Sequence, residues 1–503
     1  MDDYAAYDLF DNHTRDGVIT PLQSVAEPQG GEPLKPVKTR SIATIIIASI
    51  LSLSTIAAVT VFFLLGVLPP LFLWLVVGIE VIATAILVIV LLKSPPKTHK
   101  ARFWIATVLS VILILVNISV VKFGTDYLRL GSFIQPREST SLYDIVALKT
   151  GPSTVSELTG SLMAEVGSDP LVKDVRSEVD KRALVTFETK GTWPEAVAAV
   201  TNGEVTSMVI QDGFMQVLSE ANPETYDSLV ILDSFEVKHA IQPTAPTKLP
   251  DNSFVVYISG IDSYGSIATR SRSDVNILMA INPDTGKILL VNTPRDFYVN
   301  LRDYPGLPDK LTHAGVYGID ISMGTLEDLY GISIDYYLRI NFNSLIEVVD
   351  ALGGVEVESE YDFSAGGYSF TVGTNYLSGE AALAFARERY SFDGGDRVRG
   401  QNQQRVIEGI IKKISSPSIL LGYDKILSSV QYSMETSMPS EMMSKMVKKQ
   451  LSAGTNWSTE SVSVDGTGAS EYTYTYPGQA LYVMIPDQET VDAAKAKIAE
   501  VLG

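Results

Sequence analysis

The chain of 503 residues contains no cysteine, which excludes disulfides, thiolate metal sites and cysteine nucleophiles. It is also short of basic residues, with 39 Lys and Arg against 58 Asp and Glu and a formal net charge of -19. Non-specific nucleic-acid binding depends on Lys and Arg neutralising phosphates. We therefore expect no nucleic-acid partner, and we expect any functional cations to be concentrated locally.

Charge is nearly absent from three long apolar runs, Ile42–Leu68, Leu71–Leu92 and Phe103–Val121. Each is close to the ~20 residues that a helix needs to cross a bilayer. The runs predict three transmembrane helices within residues 41–122. Glu80 is the single charged residue inside them. It indicates either an intramembrane functional site or a packing or lipid contact.

The basic residues around these runs predict the orientation in the membrane. They flank the first run and fill the loop between the second and third: Lys35, Lys38, Arg40, Lys93, Lys97, Lys100 and Arg102. The positive-inside rule places both regions in the cytoplasm. Residues 1–40 lack periodicity and read as a disordered cytoplasmic tail. Three crossings then place the domains after residue 122 outside the cell membrane.

The rest of the chain divides by composition into a connector (123–141), a small α/β accessory domain (142–240), a proline-rich linker (241–251) and a larger domain (252–503). Strand and helix patterns alternate in the larger domain, including a helix over Leu311–Tyr330 and edge strands at Tyr472–Pro477 and Ala480–Ile485. They predict an α-β-α sandwich with a central mixed sheet.

In the accessory domain, the patterns predict a helix over Pro152–Val166, a strand over Val205–Gln211 and a helix over Gly213–Ala221. Its acidic residues are scattered singly and are typical of a solvated face. No catalytic constellation is recognisable in this domain.

The stretch Val255–Asp296 holds three apolar runs typical of buried strands, with charged residues at their ends. These charged residues are Asp262, Arg272, Asp274, Arg295 and Asp296. Open α/β sheets bind ligands where charged strand ends meet. Carboxylates suit a hard cation, and arginines suit phosphate oxygens.

A second cluster lies in Leu377–Gln404. A helix over Gly379–Arg389 ends in two arginines, and a glycine-rich turn at Asp393–Gly400 precedes a helix that opens at Gln401. A glycine-rich turn before a helix is suited to an anion. The alternative is that the arginines only complement the helix dipole and form solvent salt bridges.

Together these segments resemble the LytR–CpsA–Psr family, and most closely its capsule-associated CpsA type, which also has three spans and an accessory domain. Seven motifs carry the resemblance in order: GID (Gly260–Asp262), RSD (Arg272–Asp274), PRD (Pro294–Asp296), DKLTHAGVYG (Asp309–Gly318), DALGGVEV (Asp350–Val357), LSGEAALAFARER (Leu377–Arg389) and GDRVRGQNQQ (Gly395–Gln404).

The resemblance implies a transferase that moves a glycopolymer, here expected to be capsular polysaccharide, from an undecaprenyl-pyrophosphate carrier to peptidoglycan. It implies Mg²⁺ or Mn²⁺ held by Asp262 and Asp274. It also implies a set of residues around the pyrophosphate: Arg272, Arg295, Arg387, Arg389, Asp396, Arg399 and Gln403. Other capsule-synthesis membrane proteins are possible partners.

The sequence leaves alternative roles open for three residues. Asp396 is a candidate base or a turn-forming partner of arginine. His313 is either a candidate base or a structural residue or substrate contact, and Lys310 reaches phosphate or lies on the surface. The carrier lipid requires an apolar slot, and several residues either line it or belong to an ordinary core: Val316, Leu326, Leu329, Leu338, Ile340, Leu345, Val348, Leu383, Phe385, Ile407 and Ile411.

Two other functions remain open from the sequence. One is a membrane regulator or scaffold of capsule synthesis that binds the lipid-linked polymer. The other is a phosphatase that cleaves the polyprenyl pyrophosphate with water as acceptor.

Overall fold

The computed structural model describes residues 42–65, 70–93, 100–134, 139–239, 253–261, 270–416, 434–453 and 456–503. The predictions for the tail (1–40), for the linker (241–251) and for Asp262 lie outside these residues.

Three N-terminal helices are long and apolar enough to cross a membrane. They are α1 (Ile42–Leu65), α2 (Pro70–Lys93) and α3 (Lys100–Ile134). The third helix continues into the predicted connector, and the next strand starts at Ser139.

A polar network joins the three apolar helices. The hydroxyls of Thr55 and Thr84 lie 2.8 Å apart, and Thr55 donates to Glu80 Oε1 at 3.4 Å. Asn117 Nδ2 donates to Thr55 at 3.2 Å. Such side-chain hydrogen bonds hold helices together in an apolar environment. Glu80 thus has a polar partner that its sequence context did not indicate.

The accessory domain is a five-stranded mixed sheet in the order β3-β2-β4-β1-β5 with helices packed against it. Its elements, besides a short 3-10 helix at Val155–Leu158, are β1 (Ser139–Leu148), β2 (Leu162–Val166), α4 (Val172–Asp180), β3 (Thr186–Lys190), α5 (Trp193–Thr201), β4 (Ser207–Gln211), α6 (Asp212–Ala221), α7 (Pro223–Ser228) and β5 (Leu229–His239).

The predicted helix over Pro152–Val166 is wrong. Only one 3-10 turn forms there, and the segment then enters the sheet as β2, between β3 and β4. Met163 and Ala164 are fully buried in that position. Pairing within the sheet therefore overrides the local helical pattern, as tertiary contacts commonly do.

The larger domain confirms the predicted α-β-α sandwich around a mixed sheet. Its six-stranded sheet has the order β16-β11-β6-β7-β8-β17, with β6 parallel to β11 and antiparallel to β7. The strands of the domain are β6 (Phe254–Ile261), β7 (Ser273–Asn282), β8 (Lys287–Asn292), β9 (Tyr298–Val299), β10 (Asp309–Lys310), β11 (Tyr336–Ile340), β12 (Val355–Ser359), β13 (Phe363–Ala365), β14 (Tyr368–Phe370), β15 (Gly373–Leu377), β16 (Met434–Thr436), β17 (Ser458–Ser463), β18 (Gly466–Tyr472) and β19 (Ala480–Pro486).

Helices cover both faces of this sheet. Besides a 3-10 turn at Leu311–His313, they are α8 (Ala314–Tyr317), α9 (Ile319–Tyr330), α10 (Phe342–Ala351), α11 (Gly379–Arg387), α12 (Asp396–Ile414), α13 (Ser440–Ala453) and α14 (Gln488–Leu502). One apolar core joins the sheet to α9 and α14, and another joins it to α12 and α13. Every residue of β6 is buried, as expected for a strand covered on both faces.

Three predicted elements differ in their bounds. The helix predicted over Leu311–Tyr330 is interrupted at Gly318, whose φ is 139°. The helix predicted from Gln401 begins at Asp396. Of the two predicted edge strands, Ala480–Ile485 forms β19, but in Tyr472–Pro477 only Tyr472 belongs to a strand, as the last residue of β18. Strands β18 and β19 form a separate two-stranded sheet.

Candidate active site

The ends of β6, β8 and β11 and the start of β7 lie at the same edge of the central sheet, because Gly260 pairs with both Val275 and Ile340. A cavity of about 570 Å³ opens at this edge. We call it the site cavity. It is lined by Ser219, Glu220, Gly260, Ile261, Arg272, Asp274, Val275, Arg295, Ile340, Asn341, Phe342, Leu345, Leu383, Ala386, Arg387, Arg389, Tyr390, Arg399, Gln403, Val406 and Ile407.

The two sequence clusters therefore meet in one place. Arg272, Asp274 and Arg295 come from the first cluster. The second contributes Arg387, Arg389, Arg399 and Gln403 from α11, the loop after it and α12. Asp396 lies beside the site cavity, in a small depression that Asp274, Arg399 and Gln403 also line.

Asp274 holds in place the arginines that come from the first sequence cluster. Its Oδ1 is 3.1 Å from Arg295 Nη1 and accepts a hydrogen bond from the Thr312 hydroxyl at 2.9 Å. Burial acts to raise the pKa of Asp274, but Arg295, Arg272 and Arg399 together hold it below its ordinary value. The carboxylate is therefore ionised at neutral pH.

Asp396 holds in place arginines that come from the second sequence cluster. Its Oδ1 lies 2.7 Å from Arg399 Nη2 and 3.8 Å from Arg389 Nη1. Arg387 instead lies over the Phe342 ring, with 4.1 Å between its Cζ and the ring centroid. These contacts favour the arginine-partner interpretation of Asp396 over that of a catalytic base.

Three of these guanidinium groups retain unused donors. The Nε atoms of Arg272, Arg295 and Arg399 are buried without a hydrogen-bond acceptor in the described part of the chain. A buried donor that makes no hydrogen bond costs about 1–3 kcal/mol. The nearest carboxylate to Arg295 Nε is that of Asp296, at 3.6 Å. Phosphate groups match the planar guanidinium forks that these three arginines bring to the site cavity.

The other part of the site cavity is apolar. Val275, Phe342 and Val406 line it, together with four residues predicted for a lipid slot: Ile340, Leu345, Leu383 and Ile407. The other predicted slot residues are absent from the lining, and several fill cores, including Val316, Leu326 and Phe385. The arrangement suits a ligand with an anionic group and a hydrocarbon chain.

Glu220 is a site residue that the sequence did not indicate. It lies on α6 of the accessory domain, yet it pairs with Arg272 and lies 3.0 Å from Lys310 Nζ. Partial burial acts to raise its pKa, but the charges of Lys310, Arg295 and Arg272 lower the pKa of Glu220 to about 2. No local motif marks this residue, because its partners are at least 52 positions away.

Three further predicted residues, Lys310, Asp296 and His313, are absent from the lining of the site cavity. Lys310 is 3% exposed and lies 3.2 Å from Asp296, which is also 3.6 Å from Arg295 Nε. His313 is buried and its Nδ1 is 2.7 Å from Asp309. Lys310 thus supports the cluster from behind, Asp296 supports Arg295, and His313 has the surroundings of a structural residue.

The donor chemistry at Asp274 fits a divalent cation. Mg²⁺ takes one or two carboxylates and completes its coordination with phosphate oxygens and water. The ionised carboxylate of Asp274 supplies one such carboxylate ligand beside the arginines of the site cavity. Within the described ranges, no group of three or more His, Asp or Glu residues has the arrangement of a metal site enclosed by protein ligands alone.

Comparisons with known proteins place these residues in a wider context. A family model for the LytR_cpsA_psr family matches residues 226–499. A polyisoprenyl-teichoic acid–peptidoglycan teichoic acid transferase TagU from Enterococcus faecalis is 39% identical over 185 residues, 36% of this chain and 61% of that protein. The match thus spans less than two thirds of that relative's length. A protein of the same name from Bacillus anthracis is 32% identical over 214 residues, 42% of this chain and 69% of that protein.

Solved structures also resemble the chain over about half its length. The crystal structure of Bacillus subtilis TagU has a TM-score of 0.40 and 29% identity, and covers 50% of this chain and 98% of that one. A Streptococcus agalactiae protein has a TM-score of 0.42 and 26% identity, and covers 50% of this chain and 88% of that one.

Proposed function

The chain belongs to the LytR–CpsA–Psr family, and on that premise we propose that it transfers a glycopolymer from a polyprenyl-pyrophosphate carrier to peptidoglycan. One observation supports this most strongly: a single cavity joins a cluster of arginines to an apolar end. A polyprenyl pyrophosphate has the same two parts, a doubly anionic head and a hydrocarbon tail. The relatives carry the name of transferases that use polyisoprenyl-linked teichoic acid and peptidoglycan.

The reaction is a phosphoryl-linked transfer. A hydroxyl of the peptidoglycan attacks the phosphorus nearer the glycan and forms a new P–O bond. The bond from that phosphorus to the bridging oxygen breaks, polyprenyl phosphate leaves, and the hydroxyl proton is released. Positioning and charge neutralisation are the main requirements of such a transfer.

The arginines meet these requirements. Arg272, Arg295 and Arg399 line the site cavity, and their guanidinium groups can donate to phosphate oxygens. Arg387 and Arg389 also line the site cavity. The carboxylates Asp274 and Asp396 keep these side chains in place before the substrate arrives, so the cost of reorganisation is low.

We further propose that Asp274, together with Asp262, holds Mg²⁺ or Mn²⁺ when the carrier binds. The cation would supply additional positive charge to the pyrophosphate oxygens. The ionised state of Asp274 supports this assignment.

The polymer we propose is capsular polysaccharide. The three spans and the accessory domain are the features shared with the capsule-associated type. The relatives' names instead point to teichoic acid, so the two polymers are compared directly in the test. We also propose that the tail is cytoplasmic and that both folded domains lie outside the cell membrane.

The test uses the full chain in detergent with a polyprenyl-pyrophosphate-linked capsular polysaccharide or teichoic acid, purified peptidoglycan and Mg²⁺. We expect polymer to become bound to peptidoglycan, and Arg295→Ala and Asp274→Ala to lose this activity by at least about a hundredfold. Arg302→Ala is the matched control, since its side chain is 35% exposed, pairs with Glu327 and does not line the site cavity.

Other outcomes would refute the transferase. Release of phosphate-terminated polymer without attachment would indicate a pyrophosphatase. Lipid binding without either product would indicate a regulator or scaffold.

A further inference from the structure

A second cavity lies between the accessory domain and the larger domain. It measures about 440 Å³, and residues of both domains line it. We call it the interdomain cavity. Six aromatic rings contribute to its walls: Tyr143, Trp193, Phe214, Tyr304, Tyr317 and Tyr474. Ligand sites commonly lie at domain interfaces and are lined by aromatic side chains.

The rings form two groups, one on each domain. In the accessory domain, Trp193 stacks on Phe214 with 5.5 Å between centroids. In the larger domain, Tyr304 lies 4.2 Å from Tyr317 and 5.6 Å from Tyr474. Tyr474 is 37% exposed. Phe214 meets Tyr317 edge to face at 5.8 Å, so the two groups form one continuous aromatic surface that both domains build. A ligand ring placed on this surface would meet aromatic side chains.

Polar groups of both hydrogen-bonding types border these rings. Asp169 accepts from the Tyr143 hydroxyl at 2.7 Å, and the Thr475 hydroxyl is 3.1 Å from that of Tyr317. Arg270 and Ser168 also line the cavity. Apolar side chains, among them Val209, Ile210 and Leu307, line the rest of the cavity. The combination of apolar, aromatic and polar groups suits a ring that presents both C–H faces and hydroxyls.

The charges argue against a phosphate ligand. Asp169 and Glu165 both line the interdomain cavity, and Arg270 is the one cationic side chain in its described lining. The site cavity has five arginines in its lining, so it differs strongly in charge. Phosphate recognition depends on such clusters of cations.

The two cavities are neighbours. Helix α6 places Phe214 in the interdomain cavity and Glu220 in the site cavity. The segment that precedes β7 places Arg270 in the interdomain cavity and Arg272 in the site cavity. A ten-residue helix is about 15 Å long, which limits the separation of the two cavities to that order. A chain of sugars can bridge this distance.

We propose that the interdomain cavity is a saccharide-binding subsite that holds a pyranose ring of a glycan. Aromatic faces stack on the C–H face of the sugar, and the bordering polar groups bind its hydroxyls. This inference rests on the proposed function, since it assumes that the protein handles glycans. The ring belongs to the incoming polymer or to the peptidoglycan strand, which share this chemistry.

The test measures glycan binding to the full chain in detergent by calorimetry. One probe is the peptidoglycan glycan strand released by an amidase, and the other is capsular polysaccharide freed from its carrier by mild acid. We expect saturable binding of one probe, which identifies the source. Tyr474→Ala should weaken it by about tenfold or more, as loss of an aromatic anchor does.

Two variants and a second ligand make the result specific. Tyr474→Phe keeps the ring and should retain binding. Tyr368→Ala removes an equally exposed tyrosine, 38% exposed, from the β13–β14 hairpin and should have no effect. The affinity for farnesyl pyrophosphate should stay unchanged in all three.

The subsite is refuted if neither glycan binds saturably, or if Tyr474→Ala and Tyr368→Ala bind glycan alike. Failure of the proposed function would look different. Tyr474-dependent glycan binding would persist, but no polymer would reach peptidoglycan in the transfer reaction.

Discussion

At the scale of the residue, the notable feature is a cationic cavity in an acidic chain. The formal net charge is -19, yet five arginines line the site cavity. Burying cations is costly unless each has a partner. Asp274, Asp396 and Glu220 provide those partners, and they leave donors for a substrate.

Glu220 gives the first prediction. Its carboxylate occupies Arg272 and Lys310 and repels an incoming anion. Glu220→Gln keeps the shape and removes the charge, so we expect farnesyl pyrophosphate to bind roughly three- to tenfold more tightly, measured by calorimetry. Glu224→Gln, on an exposed residue of the neighbouring helix α7, serves as the control. Equal affinities for the two variants would show that Glu220 does not compete with the substrate.

Asp144 gives a prediction about pH. It is 1% exposed in β1, and burial raises its pKa from 3.8 to about 6. The folded state therefore favours the protonated form. The stability that this preference contributes is complete below pH 3.8 and is lost as the pH rises through about 6.

Asp144→Asn removes this ionisation. Relative to the parent, the variant should gain on the order of 2–3 kcal/mol between pH 4 and pH 8. Thermal unfolding of both proteins at the two pH values measures this gain, with the exposed Asp227→Asn as control. A difference in melting temperature that does not change with pH would contradict the effect of burial.

Most of the site residues were visible in the sequence, because charged residues at strand ends and a glycine-rich turn are local patterns. Arg272, Asp274, Arg295 and Arg399 all line the site cavity. Glu220 was not visible, because its role arises only when the two domains dock. Lys310 was visible as a cation, but its burial behind the site was not.

At the scale of the element, helix packing positions the site residues of the second sequence cluster. Gly379 opens α11, which carries Leu383 and Arg387 into the site cavity. A Cβ atom at Gly379 would lie 2.4 Å from the carbonyl oxygen of Ile346 on α10. That close approach requires glycine, because a backbone oxygen cannot move aside without shifting the helix.

Gly379→Ala should therefore push α11 away from α10. We expect a loss of about 1–3 kcal/mol in stability, typical of overpacking, and a lower affinity for farnesyl pyrophosphate. The apparent melting temperature and calorimetry measure the two effects. Gly478→Ala is the control, since a Cβ atom there meets nothing within 4 Å. Unchanged binding of farnesyl pyrophosphate in Gly379→Ala would show that the position of α11 does not determine the affinity of the site cavity.

Secondary structure predicted from local sequence patterns agrees with some elements and fails for others. Strands buried on both faces and long amphipathic helices were located within a few residues. The helix predicted over Leu311–Tyr330 is interrupted instead, and its first turn brings Thr312 to Asp274. Strand β2 lies within the segment predicted as a helix, because the strands it pairs with are distant in sequence. In both cases tertiary contacts outweigh local propensity.

At the scale of the whole molecule, the three apolar helices and the two folded domains raise the question of orientation. The absence of native cysteine allows a direct test, because any introduced cysteine is the sole thiol. Ala101→Cys lies at the start of α3, and Ser369→Cys lies on the exposed β14 of the larger domain.

In intact cells, we expect a membrane-impermeant maleimide to label Ser369→Cys but not Ala101→Cys. Permeabilised cells should show labelling of both, which controls for thiol reactivity. The opposite pattern in intact cells would place the site cavity in the cytoplasm, away from peptidoglycan, and would contradict the proposed orientation.

The central claim is that one cavity holds a pyrophosphate at its arginines and a prenyl chain at its apolar end. An experimental structure of the full chain with a prenyl pyrophosphate tests it most directly. The account predicts phosphate oxygens within hydrogen-bonding distance of Arg272, Arg295 and Arg399, and the prenyl chain against Ile340, Leu383 and Ile407. Phosphates bound away from these arginines, or a prenyl chain outside the site cavity, would contradict it.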